Sequence, residues 1–399
     1  MIESKSTTVK RGRVFTRIIP ANQPREFDIT PLTSVEYFAG IGLVRAGLEE
    51  AGWRIKYAND FSPKKHEMYQ GFFQDSAAHY VVDNIFNLDP DTIPLTTLAT
   101  CSFPCIDLSL AGNMNGINGY HSSAFWGFVK ILEGQGKQAP PLILVENVPG
   151  WLHSNKGLDF RLTVEALNEL GYACDVFTLD ALRFTPQSRL RVFLVGIKHT
   201  STNWDQTLLL KRSGSLLSKS LRERILANSH LMWFHSEIPE PPVLKSEGLQ
   251  SIVEAINESD VRWWSQEQVQ RHLNMMMPSH RYTVDSLIYN DFTTYRTFYR
   301  RIRNGQQRVE VRSDDVAGCL RTASGGSAKQ FIIAAGGGRV RMRAMTPREY
   351  ARLQGVPDFF PIHVDDVPAL TGFGDAVCVP VIEWIAHNVL NPLVELYLS

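Results

Sequence analysis

The stretch Val35-Glu36-Tyr37-Phe38-Ala39-Gly40-Ile41-Gly42 decides the fold. Its first four residues read as a buried strand, and the glycines that follow permit a tight turn from which a helix opens. Such a strand–turn–helix unit brings the backbone close to a ligand beneath the helix N-terminus, where unpaired N–H groups point outward. A second strand over residues 55–58 leads to Asp60, 20 residues beyond Gly40, with Phe61 beside it. In doubly wound folds a carboxylate at that place binds ribose hydroxyls. The neighbouring ring suits stacking on a base.

Outward from this unit the pattern continues. Strands are expected at residues 95–100, 143–145, 175–179 and 192–196, and helices at 64–73, 123–132 and 158–170, with Gly171 as a stop for the last. Alternation of this kind predicts an α/β fold with a parallel sheet and helices on both faces. Asn84 and Ile85, after a further strand, offer a hydrogen-bonding group and an apolar wall. With Phe38, Gly40, Gly42, Asp60 and Phe61 they line the carboxyl ends of adjacent strands, where such folds bind ligands. An adenosine-containing cofactor is therefore expected.

At 399 residues the chain exceeds one ordinary hydrophobic core, so two lobes are expected. The texture divides it into a basic extension (1–30), a first lobe (31–199), a second domain (200–340) without clean strand–helix alternation, a linking segment with a helix opening at Thr346-Pro347 (341–370), and a C-terminal segment returning to the first lobe (371–399). Hydrophobic residues at 44% and charged residues at 21% exclude a disordered or fibrous chain. No run of about 18 apolar residues occurs and the N-terminus is polar, so a cytoplasmic protein without membrane contact is expected. Five scattered cysteines suggest free thiols rather than disulfides or a metal site.

Three further groups carry chemistry. Ser102-Phe103-Pro104-Cys105 follows a strand and precedes a long loop with glycines, a placement that suits a nucleophilic thiol acting on a substrate which the loop then covers. Glu146 follows three apolar strand residues, where a carboxylate can handle a proton. Gln187-Ser188-Arg189-Leu190-Arg191 puts two arginines on one face of an extended segment, suited to a phosphate or a carbonyl oxygen. Overall charge gives no sign of a nucleic-acid partner, with 41 basic and 41 acidic residues. Between Tyr295 and Arg312, however, six arginines with Tyr295, Phe298 and Tyr299 face one acid, Glu310. That stretch suits phosphates and bases; the alternative is a solvated basic helix face.

Taken in order, these residues closely resemble the C5-cytosine DNA methyltransferase family of bacterial restriction-modification type. The motifs are residues 38–42, Pro104-Cys105, Glu146-Asn147-Val148, residues 187–191, residues 346–355 (Thr-Pro-Arg-Glu-Tyr-Ala-Arg-Leu-Gln-Gly) and Gly374-Asp375-Ala376-Val377. The resemblance implies a Rossmann-like methyltransferase sheet at 31–199 and a smaller, irregular target-recognition domain at 200–340. It implies that Cys105 attacks carbon 6 of a flipped cytosine, that Glu146 engages the ring, and that Arg191 and Arg189 hold the target's carbonyl oxygen and phosphate. S-adenosyl-L-methionine would be the methyl donor, leaving as S-adenosyl-L-homocysteine. Its pocket would be formed by Phe38, Gly40, Gly42, Asp60, Phe61, Asn84, Ile85, Pro104, Ala376 and Val377. Ser109, Arg296, Arg300, Arg301 and Arg303 would contact double-stranded DNA. A monomer is implied, and the type is compatible with a cognate restriction endonuclease acting separately.

The sequence departs from the family's pattern at three places. Ile106 stands where Gln is usual, Asp375-Ala376 where Asn-Ser is usual, and Asp60 where Glu is common. Asp375 is expected to add a negative charge near the methionine end of the donor. The competing readings are an RNA cytosine methyltransferase of the same fold and a non-catalytic DNA-binding relative. Intact Cys105, Glu146, Arg189 and Arg191 argue against the second.

Overall fold

The computed structural model describes residues 32–104, 124–198, 209, 211–243, 248–322 and 329–398. The first lobe contains β1 (Thr33–Tyr37), α1 (Leu43–Glu50), β2 (Arg54–Asp60), α2 (Pro63–Phe72), β3 (Tyr80–Val82), β4 (Leu98–Cys101), α3 (Ala124–Gln135), β5 (Leu142–Asn147), α4 (Leu158–Glu169), β6 (Tyr172–Asp180) and β7 (Leu190–Lys198). The seven strands form one sheet in the order β3-β2-β1-β4-β5-β7-β6. β1 to β5 pair in parallel, whereas β7 runs antiparallel to both β5 and β6. Each expected strand and helix of this lobe is present. The reversed β7 was not expected, because a strand buried on both faces reads as the same apolar run in either direction.

Alternate residues of β5 point into two different cores. Leu142 and Leu144 join the cluster with α1 and α2, while Ile143 and Val145 join the cluster with α3 and α4. Helices therefore cover both faces, and the carboxyl ends of β1, β2, β4 and β5 are left for function.

Two domain boundaries move. Leu209 and residues 211–236, which include α5 (Lys219–Ala227), were expected in the second domain but complete the first lobe. Cys174 N donates to Met232 O (3.0 Å), Phe234 N to Cys174 O (3.0 Å) and Thr178 N to Leu216 O (2.8 Å), so this segment covers the free edge of β6. Covering satisfies an edge that would otherwise pair with another chain. Buried Arg212 and Asp175 fix it there, with Arg212 Nη1 2.6 Å from Asp175 Oδ1.

The second domain is not irregular. Its helices α6 (Gln266–Asn274) and α7 (Pro278–Ile288) pack on β8 (Thr294–Arg303), β9 (Gln306–Val311), β10 (Phe331–Gly336) and β11 (Arg339–Ala344), an antiparallel sheet in the order β11-β10-β8-β9. The expected boundary at 340 falls inside β11. Strand alternation was hidden because so many of its residues are arginines. The turn Asn304-Gly305, with φ of 51° and 75°, was the readable signal, since positive φ at both positions marks a two-residue hairpin.

α8 (Pro347–Leu353) begins at the expected cap, where Thr346 and Glu349 form a reciprocal capping box. α9 (Asp366–Asp375), α10 (Val379–Ile385) and α11 (Asn391–Leu398) follow. Gly372 is helical, and the chain turns after Asp375. By length and composition 366–395 would cross a membrane, but 67% of its most apolar window is buried. Its apolar side is core: a Cβ on Gly47 of α1 would lie 2.7 Å from Ile382 Cβ and Val379 O, so only glycine allows α10 to dock so closely.

Glu349 also joins the two lobes. It pairs with Arg343 of β11, both side chains fully buried, with Nη1 2.8 Å from Oε2, and accepts from Glu254 N at 3.0 Å. Removing one partner leaves a buried uncompensated charge, so Glu349→Gln is expected to lower unfolding free energy by about 3–5 kcal/mol, read from urea midpoints. The double change Arg343→Met with Glu349→Leu should recover most of that loss.

Candidate active site

β7 lies antiparallel to β5 with Phe193 opposite Glu146, so Arg191, two residues away on the same face, reaches Glu146 diagonally. Arg191 Nε lies 3.0 Å from Glu146 Oε1, and each side chain is 13% exposed. The pair is sheltered yet open to a ligand. Next to it, Asn147 Nδ2 donates to Phe103 O (3.2 Å), which pins the segment leaving β4 against the end of β5. That segment runs through Pro104 toward Cys105. Cys105 itself, Ile106 and Ser109 lie outside the described residues.

Arg189 lies beside Arg191, with both guanidinium groups reaching the Cys319 sulfur, but its surroundings differ. It is buried, and its guanidinium donates to Leu320 O (2.9 Å), Gly374 O (3.3 Å) and Ala376 O (2.6 Å). Protein carbonyls accept from both of its terminal nitrogens. Two glutamines extend this buried polar knot. Gln187 donates to Leu353 O (2.9 Å) and accepts from Leu320 N (3.2 Å), and Gln354 donates to Phe373 O (2.6 Å) and Ala376 O (2.9 Å). Both glutamines lie in the quoted motifs, where their signal was a polar residue beside apolar core positions. Cys319, also unassigned from sequence, sits with its sulfur within reach of both arginines.

The glycine turn has the expected form. Phe38 and Gly40 adopt φ of 59° and 56°, and Gly40 N donates to Asp60 Oδ2 (3.0 Å), while Tyr80 Oη donates to Gly40 O (3.0 Å). Positive φ at Phe38 is uncommon for a residue with a side chain and marks a constrained site. A Cβ on Gly40 would meet nothing closer than 3.8 Å, so the space above the turn is open. Asp60 also accepts from Ser62 N (2.9 Å), which leaves acceptor capacity on both oxygens. Phe61 is 66% exposed beside it. Asn84 is exposed, its Oδ1 accepting from Phe86 N, and Ile85 is buried against Gly127. Val377 is buried and Ala376 offers its carbonyl to the knot. The charge of Asp375 is compensated, since Lys65 Nζ lies 3.1 Å away and Thr322 Oγ1 donates to it at 2.6 Å.

The family described as C-5 cytosine-specific DNA methylase matches residues 32–391. The chain belongs to that family. Among relatives of this methylase, Type II methyltransferase M.DsaV of Dactylococcopsis salina is 25% identical, covering 90% of this chain and 86% of its own. Type II methyltransferase M.HhaI of Haemophilus parahaemolyticus is 23% identical, covering 92% and 97%. The fold is shared with the Dnmt2 methyltransferase of S. pombe at a TM-score of 0.57 and 18% identity, covering 91% of this chain and 99% of that one. A putative DNA modification methyltransferase from an E. coli prophage shares it at 0.52 and 18%, with the same coverage.

The arginines expected to meet DNA lie on a strand of this methylase, not a helix, and alternation splits them. Arg296 and Arg300 share a face with buried Phe298, and Arg300 lies over the Phe331 ring at 5.0 Å. Arg301 and Arg303 occupy the other face with Tyr299, opposite Arg308 and Gln306 of β9. Glu310 balances this second face, 2.7 Å from Arg303 and 3.9 Å from Arg301.

The two motif arginines should respond differently to removal. Arg189→Met leaves Leu320 O and Gly374 O without that donor, while Ala376 O keeps Gln354, and should cost at least about 2 kcal/mol of stability. Hydrogen exchange should quicken around 374–378. Arg191→Met should unfold at a similar urea concentration but lose activity.

Proposed function

We propose that the enzyme transfers a methyl group from S-adenosyl-L-methionine to carbon 5 of a cytosine flipped out of duplex DNA, through a covalent adduct with Cys105. The observation that carries this reading is the sheltered Glu146–Arg191 pair, held beside the strand end that leads to Cys105. Cytosine is a poor nucleophile at carbon 5 until addition at carbon 6 breaks its aromaticity, and a thiolate supplies that addition. Glu146 holds the proton at ring nitrogen 3 and accepts from the exocyclic amine, so that electron density reaches carbon 5. Arg191 orients Glu146 and donates to the ring's carbonyl oxygen. Arg189 acts at one remove, by fixing the segments that carry Cys319 and Ala376. Once carbon 5 is methylated, loss of its proton and elimination of Cys105 restore the ring. Flipping exposes the ring faces that the duplex hides, at a cost of roughly a few kcal/mol.

The residues around the glycine turn fit the donor. Asp60 accepts from ribose hydroxyls, Phe61 stacks on adenine, and the backbone at Gly40 admits close approach. Asn84 and Ile85 border the base, and Phe38, Gly42, Pro104, Ala376 and Val377 complete the pocket. The opposite charges of Lys65 and Asp375 suit a zwitterionic amino-acid end. When bound, the sulfonium supplies an electrophilic methyl group.

Arg301 and Arg303, with Tyr299, form the surface for duplex DNA, and Arg296 and Arg300 support the sheet behind it. Ser109 belongs to the loop that covers the target. A cognate restriction endonuclease acting separately, a monomeric state and a cytoplasmic place complete the reading.

Purified protein should form a covalent complex with duplex DNA containing 5-fluorocytosine. Cys105→Ser should abolish that complex, and undiminished trapping would exclude Cys105 as the nucleophile. Glu146→Gln should lower kcat on the order of a hundredfold or more. Preferential methylation of transfer RNA over duplex DNA would overturn the substrate. Arg301→Ala with Arg303→Ala should flatten the salt dependence of DNA binding, by about 0.9 in log–log slope for each phosphate that is no longer neutralised. Arg296→Ala should leave the slope nearly unchanged.

A further inference from the structure

Cys319 is the thiol that the catalytic reading leaves without a role. It lies in the segment joining β9 to β10, and its Sγ is 3.4 Å from Arg189 Nη1 and 3.6 Å from Arg191 Nη2. Two guanidinium groups thus converge on one sulfur. Cations placed so close repel each other, and a neutral thiol is a weak acceptor for them, whereas a thiolate is a full counter-ion. The sulfur also lies 3.4 Å from Leu320 O, to which only the protonated form can donate. Arg189 Nη1 already donates to that carbonyl at 2.9 Å, so it does not need the thiol proton. On its far side Arg191 meets Glu146 at 3.0 Å. The sequence of contacts is therefore Cys319, Arg191, Glu146, with Arg189 fixing the sulfur from behind.

We propose that Cys319 is an anionic positioning residue whose thiolate holds Arg191 in the orientation that meets Glu146 and the target base. The proposal rests on the reading of Glu146 and Arg191 as the groups that hold the cytosine. Without the anion, Arg191 faces an uncompensated Arg189 and turns toward Glu146 alone, which spoils its donation to the substrate.

The electrostatics agree with the geometry. Burial pushes the Cys319 thiol up, but the charges of Arg191 and Arg189, the Arg191 hydrogen bond and nearby Arg321 together bring it down to about 7. Glu146 faces it across Arg191. Cys378, beyond Arg189, is pushed up to about 11 by burial and stays neutral. Asp180 accepts from Arg189 N at 2.7 Å. The sign follows: the anion is present above about pH 7 and is lost as pH falls, so the positioning weakens on the acid side.

The remaining thiols make the test clean. Burial raises Cys101 and Cys174 well above the ordinary range. In a Cys105→Ser protein, a thiolate appearing near neutrality therefore belongs to Cys319. Its ultraviolet absorbance is titrated in the Cys105→Ser protein and in the protein carrying both Cys105→Ser and Cys319→Ser. The difference should show one thiol with a midpoint near 7; a midpoint at or above the usual 9.0 overturns the proposal.

A second measurement keeps Cys105 intact. Serine preserves size and a hydrogen-bond acceptor but does not ionise, so a merely structural role would survive Cys319→Ser. Instead kcat should fall on the order of tenfold with little change in KM for DNA, as expected for a misoriented group. The acid limb near pH 7 should diminish with it. Wild-type kcat and pH profile in Cys319→Ser overturn the positioning role even if the thiol titrates low. Trapping on 5-fluorocytosine DNA by the wild-type protein reports separately on the catalytic reading, so failure of one is not mistaken for failure of the other.

Discussion

The arrangement of the site depends on a buried polar knot of Gln187, Arg189 and Gln354. Their side chains donate to the carbonyls of Leu320, Leu353, Phe373, Gly374 and Ala376, which come from three segments distant in sequence. None of those segments is a strand of the large sheet. Leu353 O also accepts from Thr185 Oγ1, whereas a buried carbonyl left without any donor costs about 1–3 kcal/mol. The knot satisfies these carbonyls together, and in doing so it sets Cys319 and the turn after Asp375 against the end of β7. Arg191, Glu146 and the glycine turn then face one region.

A division of labour follows along one short strand. Arg189 and Arg191 stand two residues apart on the same face, yet one is spent on backbone carbonyls and the other on Glu146. The same division recurs on β8. There Arg296 and Arg300 lie with the small domain's aromatic core, while Arg301 and Arg303 face outward with Tyr299. In both cases alternation fixes the face, and what covers that face fixes the task. An arginine beneath a packed segment meets carbonyls and rings; an uncovered one is left to meet phosphate or base.

The lobes meet through charge as well as through apolar contact. Arg343 and Glu349 form a fully buried pair where the small sheet passes into α8, and Glu349 also holds the cap of that helix and the backbone of Glu254. A pair of this kind does little for net stability compared with an apolar substitute, but it fixes one relative placement of the sheet and helix. That placement fits the proposed function, in which the cofactor end and the small sheet would address the same base.

By itself the sequence determined the large sheet, the glycine turn with Asp60, and the positions of Glu146 and Arg191 at strand ends. These follow from local periodicity and from turn chemistry, which act over a few residues and leave a readable mark. The same reading missed the reversal of β7, the membership of residues 211–236 in the first lobe, and the regular sheet of the second domain. Direction, edge covering and strand pairing are set between segments far apart, and arginine-rich alternation conceals a strand. Only the tertiary structure decided which arginine serves the scaffold, because the carbonyls that claim Arg189 arrive beside it only when the C-terminal helices dock. It also set Cys319 beside Arg189 and Arg191 and Lys65 beside Asp375, since neither carries any local pattern and each meets a partner more than a hundred residues away.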